Sequence, residues 1–284
     1  MHFIIALIDN NVNMFLDIVY TLQTFLDKHN HRHELKVCPT LCSGESCNCC
    51  DEFKNTETQR VFIIGTGLRK HKIPPNSILS HFECLADFES IFCKPSYINE
   101  NQILNYCPAD AVKLREKYPN IKVDVFKFGY TQAHDMHDDT TLKIYDCCFV
   151  GTLTPLRSAL IQKLLQKGLK VWYHPSYFIS GKERAQLYNS SKIVVSTYAY
   201  DKIRPNPLLS RIIPAVSNKA FVIQEKSTEP TTNDLVDDYV YICPTEQLVD
   251  TIVFFVKNDE QREVYRNKFY SNLKSIDPEI PLFL

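Results

Sequence analysis

Two arginines and a glycine turn carry the spacing that points to chemistry. Gly151-Thr152-Leu153-Thr154-Pro155 follows the apolar run Tyr145–Val150 and precedes a helical pattern at Leu156–Lys167. In a parallel sheet such a turn lies at the carboxyl edge of a strand and the start of a helix. Backbone N–H groups without intrahelical partners point outward there and favour a phosphate. Gly151, Thr152 and Thr154 could give N–H and hydroxyl donors to a diphosphate. Arg157 and Arg211 add planar donor forks with permanent charge. Arg211 sits between apolar neighbours on a helical segment and is the favoured of the two. Glu225 follows the strand Ala220–Gln224, where its carboxylate could accept from two ribose hydroxyls. Ser217 and Asn218, in the turn before that strand, could meet phosphate or sugar. His174, after the strand Leu169–Tyr173, could line a base pocket. Together these types describe a nucleotide or sugar-nucleotide site. Plainer roles stay open: ion pairs for the arginines, a solvated strand-end acid for Glu225, a surface ring for His174.

Alternating elements must position these residues. The second half reads as strand Tyr145–Val150, then a helix with the stripe Leu156, Leu160, Ile161, Leu164, Leu165, stopped by Gly168. Strand Leu169–Tyr173, helix Lys182–Asn189 and strand Ile193–Tyr198 follow. A helix near Leu208–Val216, strand Ala220–Gln224, strand Tyr239–Ile242 and helices over 246–275 complete it. The first half opens with strand Phe3–Ile8 and a helix over 13–28 whose Phe15, Ile18, Val19, Leu22, Phe25 and Leu26 keep helical spacing. Strands at Leu35–Val37, Val61–Ile64, Ser77–Phe82 and Val123–Phe128 and a helix at Ala109–Lys117 continue it. Strands alternating with helices imply parallel sheets covered on both faces. The expected fold is α/β, two Rossmann-like domains facing a cleft: 1–130, a connection at 131–143, and 144–284. Ligands in such sheets sit at the carboxyl ends of the strands.

Composition narrows the class. Over 284 residues the chain is 44% hydrophobic and 12% aromatic, which supports a packed core. A formal net charge of −1 gives no basic field for nucleic acid or an anionic membrane, so no nucleic-acid partner is expected. The longest apolar runs are too short for a transmembrane segment, which needs about 20 residues. Phe3–Ile8 lacks the basic flank of a secretory signal. The chain therefore reads as soluble and cytoplasmic. Gly65-Thr66-Gly67 allows close approach of a substrate but is not the dinucleotide fingerprint.

The second half resembles a known family. Asp146–Arg157 reads DCCFVGTLTPLR, followed by a helix and GLKVW. It is similar to the start of the donor domain in GT-B glycosyltransferases, in particular the CgeB-like, family 1-like group found in bacteria and large DNA viruses. The order continues with Gly181-Lys182-Glu183-Arg184, Leu187–Val194 and SRIIPAVSNKAFVIQE at Ser210–Glu225, which resembles the family's arginine-led helix and acid-ended strand. VFIIGTGLRKHKIPPNSILSHFE and ILNYCPADAVKLREKY resemble the acceptor domain more weakly. The resemblance implies transfer of a sugar from a UDP- or GDP-linked donor to a glycan, protein or small-molecule hydroxyl, without a metal or other cofactor. It places Arg211 and Arg157 on the leaving diphosphate. An inverting enzyme would need a base, for which Glu83 and Asp9 at strand ends are the candidates. The chain departs from the pattern at Pro214, where the family carries glutamate, and at Lys219, where it carries glycine. Those departures raise the alternative of a catalytically inactive GT-B-like protein that binds carbohydrate or a partner.

There are 11 cysteines, and Cys38, Cys42, Cys47, Cys49 and Cys50 lie together near His29, His31 and His33. Four such ligands suffice for structural zinc. The spacing lacks paired CxxC steps, and reduced thiols are the default in the absence of a signal. Zinc at Cys38–Cys50, serving an interaction loop in place of an enzyme, is the remaining alternative.

Overall fold

The computed structural model describes residues 1–8, 12–38, 53–65, 73–81, 99–174, 179, 181–199, 209–228 and 236–281. The chain divides into two compact units. One comprises Met1–Phe128 with Pro278–Leu284, the other Gly129–Asp277.

The first unit is built on β1 (His2–Ile8), α1 (Val12–Lys28), β2 (Arg32–Cys38), β3 (Gln59–Gly65), β4 (Ile78–His81), β5 (Gln102–Asn105), α2 (Pro108–Lys117) and β6 (Lys122–Val125). The strands form one parallel sheet in the order β2-β1-β3-β4-β5-β6. Register explains the core. Ala6 pairs with Ile63, Ile63 with Leu79, Leu79 with Ile103, and Ile103 with Val123. This row across five strands is buried together with Ala111 and Leu114 of α2. Phe3, Ile5 and Leu7 are buried as well, so β1 is covered on both faces, as a central parallel strand requires. The α1 stripe Phe15, Ile18, Val19, Leu22, Phe25 and Leu26 is fully buried, as its spacing predicts. β5 was carried only by the family resemblance, because Gln102 and Asn105 break its apolar run. Both are buried and bonded: Gln102 Nε2 donates to Asp124 at 3.1 Å and to the Pro281 carbonyl at 2.9 Å, and Asn105 Oδ1 accepts from the Cys107 N–H.

The second unit holds β7 (Tyr145–Phe149), α3 (Pro155–Gln166), β8 (Val171–Trp172), α4 (Gly181–Asn189), β9 (Ser191–Ser196), α5 (Leu209–Ser217), β10 (Phe221–Glu225), β11 (Tyr241–Cys243), α6 (Leu248–Lys257) and α7 (Asp259–Lys274). Its parallel sheet runs β11-β10-β9-β7-β8. Both sheets thus start in the middle, step to one side, then reverse across the first strand. The reversal in the second unit lies between β7 and β9. In open α/β sheets that switch point is where the strand ends leave a crevice.

Gly168 stops α3 at φ +81°, as its sequence position predicts. β8 is shorter than the expected Leu169–Tyr173, because only Val171 and Trp172 find partners on β7 at this sheet edge. Residues read above as a connection, 131–143, lie in the second unit. Asn218 Nδ2 donates to the His134 carbonyl at 2.7 Å, and its Oδ1 accepts from the Met136 N–H at 3.1 Å. Asn189 Nδ2 donates to the Met136 carbonyl at 2.8 Å, and its Oδ1 accepts from the Asp138 N–H at 3.2 Å. No helix among the described residues is long and apolar enough to cross a membrane.

Candidate active site

The site grows from the turn after β7. Gly151 has φ +147°, a conformation that side chains resist. A Cβ there would lie 2.7 Å from Nη1 and 3.0 Å from Cζ of Arg211. The guanidinium of α5 therefore rests against the bare face of the glycine. Beside it a small crevice is lined by Phe149, Val150, Tyr188, Val195, Ser196 and Arg211 among others. Its walls are the ends of β7 and β9 and the start of α5, which is the switch point of the sheet. The amino end of α3 opens beside the same turn. Thr154 caps it, its Oγ1 accepting from the Arg157 N–H at 3.5 Å, and Pro155 occupies the first turn.

Arg157 does not project into solvent; it is 4% exposed. Nη1 donates to the Thr152 carbonyl at 2.8 Å, and Nη2 to the Thr197 carbonyl at 2.7 Å. The guanidinium also lies 5.2 Å over the Phe149 ring. Glu225 is 2% exposed at the end of β10. Its Oε2 accepts from the Tyr198 N–H at 3.0 Å, and its Oε1 from the Thr245 hydroxyl at 2.7 Å.

Ser217 and Asn218 lie at the other end of α5, about 10 Å along the axis from Arg211. Both are buried there, and Asn218 is bonded to the 134–136 backbone and to the Pro214 carbonyl at 2.7 Å. His174 is exposed beyond the short edge strand β8. The structure thus gathers Gly151, Thr152, Arg157 and Arg211, with Glu225 joined to them through the chain after β9. Asp9 and Glu83 lie outside the described residues, as do Cys42–Cys50. Among the described residues no group of three or more histidine, cysteine or acidic side chains is placed to hold a metal. Sequence reasoning missed Thr197, Tyr198 and Tyr188. Tyr188 lines the crevice from α4, and Thr197 and Tyr198, just past the end of β9, bond Arg157 and Glu225 through their backbone.

The two departures from the family pattern have visible consequences. Pro214 lies inside α5 and has no N–H to offer the carbonyl of Ser210. Lys219 adopts φ +54°. Its N–H donates to the Val216 carbonyl at 2.8 Å, and the Ala220 N–H to that of Ala215 at 3.0 Å. That pair of bonds is the helix stop that glycine usually makes. Lys219 keeps the backbone path despite its side chain, and its Nζ pairs with Asp139 at 2.7 Å.

No protein-family model matches the chain, and no curated protein matches it. Solved structures do. WaaG, a glycosyltransferase involved in lipopolysaccharide biosynthesis, superposes with a TM-score of 0.59 at 9% identity, covering 97% of this chain and 96% of that one. An α-glucosyltransferase in complex with UDP gives the same TM-score, identity and coverage. A mutant of S. aureus TarM in complex with fondaparinux, α-GlcNAc-glycerol and UDP gives 0.55 at 12% identity. The fold is that of GT-B glycosyltransferases. The match to TarM covers 78% of this chain but only 52% of that one, so the chain spans about half its length. At these identities the likeness is one of fold.

Proposed function

We propose that the chain is a glycosyltransferase of the CgeB-like, family 1-like kind, binding a UDP- or GDP-linked sugar in its second unit. The carrying observation is the apposition of Gly151 and Arg211 beside a small crevice at the switch point of a GT-B sheet. The diphosphate of the donor would lie on the turn after β7. N–H groups of that turn and the amino end of α3 would face it, with the Arg211 charge alongside. Charge that develops on the departing diphosphate would be offset by these fixed donors, so no metal is required. The sugar would pass to a hydroxyl of a glycan, protein or small molecule held by the first unit. Glu83 or Asp9 would serve as base if the stereochemistry inverts. Solved GT-B relatives crystallised with UDP support the donor class.

The test is release of the nucleotide leaving group (UDP, GDP or, from CMP-linked sugars, CMP) from a panel of UDP-, GDP- and CMP-linked sugars, with a chelator present. One donor class should turn over, and Arg211→Ala should slow it about 10²-fold, the cost of removing one fixed donor to a developing charge. A second reading rests on Pro214: a protein that keeps the donor site but has lost turnover. Binding of nucleotide without release from any sugar conjugate would select it.

A further inference from the structure

Arg157 and Glu225 grip one peptide group from opposite sides. The Arg157 guanidinium donates to the carbonyl of Thr197, and the Glu225 carboxylate accepts from the N–H of Tyr198. That carbonyl and that N–H belong to the same peptide plane. Both side chains are almost wholly buried, where an uncompensated charge is costly. Here a cation meets the negative end of a peptide dipole and an anion meets its positive end, so the peptide between them contributes to the compensation of each charge. Charge-assisted bonds of this kind are stronger than neutral ones. Arg157 reaches further, to the Thr152 carbonyl in the turn that carries Gly151. Three neighbouring strands, β10, β9 and β7, are therefore tied at their carboxyl ends by two side chains. The clamped peptide begins the chain that leads from β9 to Arg211.

We infer that Arg157 and Glu225 are positioning residues for the proposed donor site, clamping the Thr197–Tyr198 peptide so that the Gly151 turn and Arg211 are held in register. The inference rests on the donor-site reading above and goes beyond it. It assigns both charges to the protein's own groups, the backbone and the Thr245 hydroxyl, and not to phosphate or ribose.

The experiment measures calorimetric affinity for UDP and GDP in the wild type, Arg157→Lys, Glu225→Gln, their double variant, and each single change combined with Arg211→Ala. Far-UV circular dichroism selects folded samples, and the isosteric Glu225→Gln covers the case in which Arg157→Lys does not fold. Each single change should weaken the bound nucleotide about 10-fold, and the double variant should be no weaker than the worse single, because both groups hold one peptide. In the Arg211→Ala background each change should weaken binding by clearly less than about 10-fold, since Arg211 is one of the two groups the clamp holds and the Gly151 turn is the other. Multiplying losses in the double variant, or a further 10-fold loss on top of Arg211→Ala, would mean direct and separate ligand contacts and overturn the clamp. Variants that bind like wild type would overturn it too, leaving the donor site standing. A wild type that binds neither nucleotide would remove the donor-site reading and the clamp's role with it.

Discussion

A methyl group added at Gly151 would meet the Arg211 guanidinium at 2.7 Å, and the residue's φ of +147° already disfavours any side chain. The two conflicts separate in experiment. Arg211 is flexible at its tip and would swing away, which touches binding; the backbone cannot yield so cheaply, which touches stability. Gly151→Ala is expected to cost about 1–3 kcal/mol in urea unfolding and to weaken nucleotide binding as Arg211→Ala does. Unchanged affinity would mean the contact has no bearing on the ligand. Asn218 makes the contrasting case. It joins the 134–136 backbone to the end of α5 through buried bonds. Asn218→Ala would leave buried backbone groups without partners, at about 1–3 kcal/mol for each group stranded. Its effect should appear in the denaturation midpoint, with nucleotide affinity of the folded protein unaltered. Residue types at strand ends were legible in the sequence. Their commitments were not: only the folded chain shows Arg157 bonded to the Thr152 and Thr197 carbonyls, and Glu225 to the Tyr198 N–H and the Thr245 hydroxyl.

Segments read as connections carry structure of their own. Asp135 accepts from the Tyr270 hydroxyl at 2.8 Å and from that of Tyr130, and pairs with His137 Nδ1 at 2.5 Å. Tyr130 stands just after the boundary between units and its N–H donates to Ile276, just before the chain crosses back. One carboxylate thus ties residues near both crossings into the second unit. Burial raises the Asp135 pKa, but the hydrogen bonds from Tyr130, His137 and Tyr270 outweigh it and hold the group below the usual carboxylate value. A lowered pKa means the folded state binds the proton less readily. The cluster's stability is therefore present above about pH 4 and lost as pH falls through the folded-state value. Burial and Asp135 raise both tyrosines, so their contribution holds below about pH 10 and fades above it. Unfolding free energy across pH should show both limbs. Asp135→Asn should make the acid limb shallower by one proton's worth of slope. An acid limb unchanged in that variant would remove the cluster from the account. No periodicity announces this cluster, because its members meet only after α7 folds back. Long amphipathic elements such as α1 were legible, whereas β5 was hidden by polar residues that pair inside.

At the scale of the molecule, two sheets with the same winding follow from buried parallel strands linked by helices, and the alternation in the sequence was enough to read that. Strand order was not legible, since short connections are compatible with several windings. It is the order β10-β9-β7 that turns a scattered set of residues into one crevice. The most direct measurement is calorimetric titration of the wild type and Arg211→Ala with UDP, GDP and CMP. A donor site built on Arg211 requires saturable one-to-one binding of UDP or GDP by the wild type, at least about 10-fold weaker in the variant, as expected for loss of a charged hydrogen-bonding group. Absence of binding by folded wild-type protein, or equal binding by Arg211→Ala, would contradict it.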